Sequence, residues 1–165
     1  MLGHRVTVID YDDTWKTRRN SGLFPLSTTV LQDIHRAYPE ASVTVHRPGM
    51  VRLPVLSRIS GAITAGAEIA RVMRDTRFDA VLLYGLPTVG IQSLLAAQKF
   101  NVPVIFRSID VLNQLVPWRV LIRPTKALER YVYNRADVIV PVTLHLKNHI
   151  LSYGVPESRV RVLPL

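Results

Sequence analysis

Apolar residues recur along the chain in short, almost unbroken runs: Arg5–Ile9, Ser42–Val45, Asp79–Tyr84, Val102–Phe106, Asp137–Val142 and Arg159–Leu163. Most are rich in β-branched residues and show little alternation with polar ones. A strand covered on both faces looks like this, as in a parallel sheet. Between the runs the period changes. Residues 60–76 place Ile63, Ala67, Ala70 and Met73 or Arg74 at helical spacing. Residues 88–100 predict a second helix, with Thr88 behind Pro87 as its N-cap. Residues 124–135 start on Pro124, suited to a first turn, and carry Leu128, Tyr131 and Val132. Residues 144–153 predict a last helix, closed by Gly154.

Strands and helices in alternation predict an α/β fold: a doubly wound, mostly parallel sheet with helices on both faces, in one domain over residues 1–165. Function in such folds collects in the loops at the carboxyl ends of the strands. Those loops begin near Asp10, His46, Tyr84, Arg107 and Thr143. Two stretches fit poorly. Residues 12–30 are polar and basic and predict a long loop; residues 46–59 mix prolines, arginines and apolar side chains.

Composition narrows the class. Apolar residues make up 48% and charged residues 20% of the 165, which is the balance of a chain that buries a core. Cysteine is absent, so disulfides, thiolate zinc sites and cysteine nucleophiles are excluded. No apolar run approaches the roughly 18 residues that span a bilayer. The opening residues Met1–Arg5 hold no apolar signal core. The expected location is the cytoplasm, with peripheral attachment to the inner face of the membrane. The net charge of +9 attracts anions, and arginine, the dominant cation, binds phosphate in a planar, bidentate way.

Four stretches together resemble the N-terminal domain of family-4 type glycosyltransferases of the two-domain GT-B kind. They are Gly3-His4-Arg5-Val6-Thr7-Val8-Ile9; Phe78 to Leu83; Val102 to Ile105 with Asp110 beyond; and Glu129-Arg130 followed by Ala136-Asp137-Val138-Ile139-Val140 and Thr143. Tyr153-Gly154-Val155-Pro156 and Arg159 to Pro164 continue the pattern. The resemblance implies a Rossmann-like acceptor domain facing a second domain that binds the nucleotide-sugar. Two departures stand out. The family opens with a strand, a glycine-rich loop and a helix before the Gly-His segment, and its donor domain carries two glutamates with seven residues between. Neither is present; the glutamates are Glu40, Glu68, Glu129 and Glu157. The expectation is an acceptor half, inactive without a donor domain or partner chain, with no cofactor of its own and the nucleotide-sugar bound elsewhere.

The resemblance also implies a histidine lining the acceptor site after the 102–106 strand; Ile109 stands there, with Asp110 beside it. Asp110 reads as a hydrogen-bond acceptor for a sugar hydroxyl or as a turn or cap carboxylate. Arg107 reads as a holder of an acceptor phosphate or as a solvated strand-end residue. Thr88 and Gly90 offer free N–H groups at a helix start, or simply start the helix. Thr143 reads as a cap. No residue is assigned a catalytic role. His145 and His149 have a spacing metals use, but nothing nearby supports a metal site. Glu129, Arg130 and Arg135 are read as structural. Arg47, Arg52 and Arg58, and Trp118 with Arg119 and Arg123, combine cations with bulky apolar neighbours as a headgroup boundary requires. The expected partners are therefore a glycan or lipid-linked acceptor, a donor domain and an anionic membrane surface. The rival reading is a non-catalytic, membrane-recruiting or scaffolding subunit of a split transferase. A specific nucleic-acid role is not expected, since no recognised motif accompanies the charge.

Overall fold

A computed structural model describes residues 3–11, 27–34, 41–53, 56–86 and 89–164. They form α/β structure in two compact units, residues 1–72 and 73–165. Each unit holds a three-stranded sheet, and three of the four strand pairings described are parallel.

In the first unit, β1 (Val6–Ile9) and β3 (Val43–Arg47) run parallel, Val6 opposite Val43 and Ile9 opposite His46. The short β2 (Thr29–Leu31) pairs antiparallel with β3 on its other side. Its first two residues fall at the end of the stretch 12–30 expected as a loop, of which 12–26 lie outside the described residues; three residues are too few to give a period. Helix α1 (Leu56–Asp75) follows. Its buried face is offset from the one suggested by Ile63 and Ala67, both of which are exposed. Small residues set it instead: Ser57, Gly61 and Ala65, then Ile69 and Val72, are buried. A methyl on Gly61 would come within 2.8 Å of the Tyr11 ring, so glycine is what allows that approach. Thr64 Oγ1 donates to the Gly49 carbonyl at 2.6 Å, and Ser60 Oγ accepts from Val51 N–H at 3.0 Å. These bonds tie the 48–53 segment to the helix.

In the second unit, β4 (Val81–Leu83), β5 (Val104–Ser108) and β6 (Val138–Pro141) form a wholly parallel sheet with β5 in the middle. Helices α2 (Gly90–Phe100), α4 (Ile122–Arg135) and α5 (Leu144–Leu151) flank it, with a single turn, α3 (Leu112–Leu115), after β5. Leu94 and Ala97 of α2, Val132 and Tyr133 of α4, Ile139 of β6 and Ile150 of α5 are fully buried. The Phe106 and Tyr133 rings lie 5.9 Å apart, locking α4 to the middle strand. Asn101 ends α2 in the left-handed conformation at φ 55°. The strand expected over 159–163 shrinks to one bridge, Val160 with Ile139, because a 3-10 turn takes Glu157–Arg159 and Pro164 follows.

Candidate functional site

The carboxyl ends of the parallel strands carry most of the candidates. In the second unit, β5 runs into Arg107, Ser108, Ile109 and Asp110. Strand alternation puts Phe106 and Ser108 on one face and Arg107 on the other. The Ser108 hydroxyl lies beside that of Tyr133, whose proton burial holds more tightly than usual, the Glu129 carboxylate adding to the effect.

Arg107 is only 9% exposed, and its Nη1 is buried without a hydrogen-bond partner among the described residues. A buried, unpaired guanidinium is costly unless an anion completes it. Asp110 is exposed. It does not cap the following turn, whose N-cap position is Val111. Its carboxylate has no partner among the described residues. Ile109 is 41% exposed, so the apolar residue in the expected histidine position faces outward.

Gly90 begins α2 and is buried; a methyl there would meet the Gly85 carbonyl at 3.3 Å and the Leu86 side chain at 3.4 Å. Its N–H donates to the Leu86 carbonyl, so that group is engaged within the fold. Thr88 lies outside the described residues. Thr143 caps α5: its hydroxyl accepts from Leu146 N–H at 3.1 Å.

Sequence reasoning read Glu129 as structural, and the structure gives the reason. The side chain is fully buried, and its carboxylate accepts from Asn113 N–H, from Asn113 Nδ2 at 2.7 Å and from the Tyr153 hydroxyl at 2.8 Å. Burial and that carboxylate push the Tyr153 phenol up to about 12. His149 packs edge-on against Tyr133 and at 67° to Tyr153, while His145 is exposed. Among the described residues no three potential ligands gather as a metal site would need. Arg135 stacks on Tyr131 at 3.8 Å.

In the first unit, Asp10 follows β1, and its carboxylate accepts from Arg47 Nε at 3.1 Å. Beside them sits a group that sequence reasoning missed. His46 Nδ1 lies 2.7 Å from Glu68 Oε1, and Arg71 grips the same carboxylate through Nε and Nη2. Only the Glu68–Arg71 half, three apart on a helix, has a sequence signal.

The basic and apolar residues also resolve into two sets. Arg47 is half-buried in its ion pair, Arg52 is half-buried, and Arg58 is exposed on α1. Around the 3-10 turn Arg119–Leu121, Leu115, Trp118 and Val120 are 61%, 66% and 77% exposed, with Arg119, Arg123 and Lys126 also exposed. Among the described residues no helix is long and apolar enough to cross a membrane.

Parallel strands alternating with helices are the features of an open-sheet α/β fold. The chain belongs to the glycosyl transferase 4-like domain family, which it matches over residues 1–165. No curated protein matches it. Among solved structures it is similar to UDP-N-acetylglucosamine 2-epimerase from Rickettsia bellii, with 21% identity and a TM-score of 0.48. That match covers 61% of this chain and 26% of the epimerase chain, so the chain spans about a quarter of that protein's length.

Proposed function

We propose that this chain is the acceptor-binding half of a retaining glycosyltransferase that moves a sugar from a nucleotide-sugar to a glycan or lipid-linked acceptor. The donor site is proposed to lie on a second domain or a partner chain, without which the chain is inactive. Family membership supports a sugar-transferring role. The observation that carries the acceptor assignment is Arg107, nine-tenths buried at the carboxyl end of the middle strand with Nη1 unpartnered. Such a group suits a phosphate on the acceptor. Asp110, exposed three residues on, supplies a carboxylate for a sugar hydroxyl. Gly90 is proposed to border the same site.

In transfer, the acceptor oxygen bonds to the anomeric carbon as the bond to the nucleotide diphosphate breaks, and the hydroxyl proton passes to the departing phosphate oxygen. No side chain of this half takes the proton. Its contribution is to hold the hydroxyl in reach, an effect worth several kcal/mol of the barrier.

Calorimetric titration of the full chain with glucose and with glucose 1-phosphate tests this reading. The phosphorylated sugar is expected to bind about tenfold tighter or better, and Arg107→Met to erase the preference. Equal binding of both sugars, or an unchanged preference in the variant, overturns it.

The exposed Leu115, Trp118 and Val120 beside Arg119 and Arg123 favour a second reading: a non-catalytic subunit that recruits a partner transferase to an anionic membrane. Under either reading that surface docks at the cytoplasmic leaflet, Arg47, Arg52 and Arg58 forming a second basic stretch. Flotation with anionic and with neutral vesicles at low salt tests the docking; equal recovery with both overturns it.

A further inference from the structure

The first unit carries a chain of polar groups, His46 and Glu68 among them buried, that the proposed acceptor site does not use. His46 is the next-to-last residue of β3, at the carboxyl end of a parallel pair, and the Asp10 N–H donates to its carbonyl at 2.9 Å. The His46 side chain is 11% exposed and that of Glu68 8%. Glu68 is held on its far side by Arg71, whose Nε reaches Oε2 at 3.0 Å and whose Nη2 reaches Oε1 at 2.5 Å.

Two groups face His46 Nδ1, the Glu68 carboxylate at 2.7 Å and, farther off at 3.5 Å, Arg71 Nη2, and the nearer one sets the tautomer. The Arg71 guanidinium, and to a lesser degree His46, hold the Glu68 carboxyl below its ordinary range, against the opposing effect of burial. An ionised carboxylate only accepts hydrogen bonds, so the nitrogen facing it, Nδ1, carries the proton. In the neutral ring Nε2 then carries a lone pair, and it has no hydrogen-bond partner among the described residues. The Arg71 end of the group is open to solvent, and an ion pair that reaches solvent adds little stability, so stability alone does not account for it. Its place, the carboxyl end of parallel strands, is where open-sheet proteins bind ligands.

We infer that His46 is a ligand-binding residue whose Nε2 accepts a hydrogen bond from a carbohydrate hydroxyl, with Glu68 and Arg71 as positioning residues behind it. The class of ligand rests on the proposed acceptor role; the residues themselves all belong to the first unit.

Nitrogen NMR on the full, isotope-labelled chain tests this. Two-bond proton–nitrogen correlations are expected to show His46 with Nδ1 protonated and Nε2 bare. Methyl α-glucoside, galactoside and mannoside serve as probes. At least one is expected to move His46 Nε2 upfield, leaving the other four of the five histidines in place. His46→Asn keeps an amide donor toward Glu68 and removes Nε2; it is expected to fold and to bind that glycoside about tenfold more weakly. His46→Gln, which keeps an acceptor near the Nε2 position, is expected to recover part of the loss. A protonated Nε2, a His46 signal unmoved by all three glycosides, or unchanged affinity in a folded His46→Asn variant overturns the inference. The first two readouts need no variant and stand even if the substitutions unfold the chain. A response confined to second-unit signals overturns this inference and leaves the acceptor role standing. A His46 response without a phosphate preference at Arg107 does the reverse.

Discussion

Among the described residues each unit buries one glutamate on a helix, and the two take different hydrogen-bond donors. Glu68 keeps 8% of its side-chain surface, and it is held by a guanidinium and an imidazole. Glu129 lies in a sealed setting, among Val132, Tyr133 and Ile150 at 0%, and it is held by an amide, a backbone N–H and a phenol. In the second unit the carboxylate serves packing: an amide, a backbone N–H and a phenol donate to it, and His149 Nε2 stands off at 3.8 Å. In the first unit the carboxylate orients a ring whose second nitrogen is left over. The difference separates a structural glutamate from one that prepares a neighbour.

The largest test of this contrast is Tyr133→Ala. The ring is fully buried and touches Phe106, His149 and Tyr153. Its loss is expected to cost about 3–5 kcal/mol in urea unfolding. Tyr153→Phe should cost about 1.5–3 kcal/mol, the scale of a hydrogen bond to a charged group. The wild type should also lose stability as pH rises from the phenol's ordinary 10.0 toward about 12. The sign follows from linkage: in that window the unfolded chain has released the Tyr153 proton and the folded chain keeps it. The phenylalanine variant should show less of this decline.

Glu68→Gln should act at the other end of the scale. The folded carboxyl titrates below its ordinary 4.5, so its contribution is present above that value and fades as pH falls through the folded one. Acid titrations followed by circular dichroism should show a shallower loss in the variant; identical profiles would remove the ionic account of the first unit. The smallest effect is that of Thr143→Ala, about 1 kcal/mol for a lost N-cap bond, seen as a small drop in the urea midpoint.

The sequence disclosed the elements better than the contacts between them. The parallel strands of the second unit were legible because burial on both faces leaves uninterrupted apolar runs, as at Val138–Pro141. Thr143 was legible as a cap because its bond is local, three residues long. The face of α1 was not, because Ser57, Gly61 and Ala65 are buried for their small size, which a hydrophobic period does not register. Nor was the His46–Glu68 pair, 22 residues apart on a strand and a helix. Arg107 and Asp110 were singled out as candidates by position at a strand end, but only coordinates separate a buried guanidinium from an exposed carboxylate three residues away.

The Glu129 carboxylate also bears on how the second unit comes apart. It joins α4 to Asn113, 16 residues before it, and to Tyr153, 24 residues after it. Neither α3 nor the turn after α5 can lift away without stranding a buried charge on α4. Local opening of the three stretches is therefore coupled. Their amide protons should exchange with solvent as one cooperative block, slower than the exposed backbone around Trp118 and Val120.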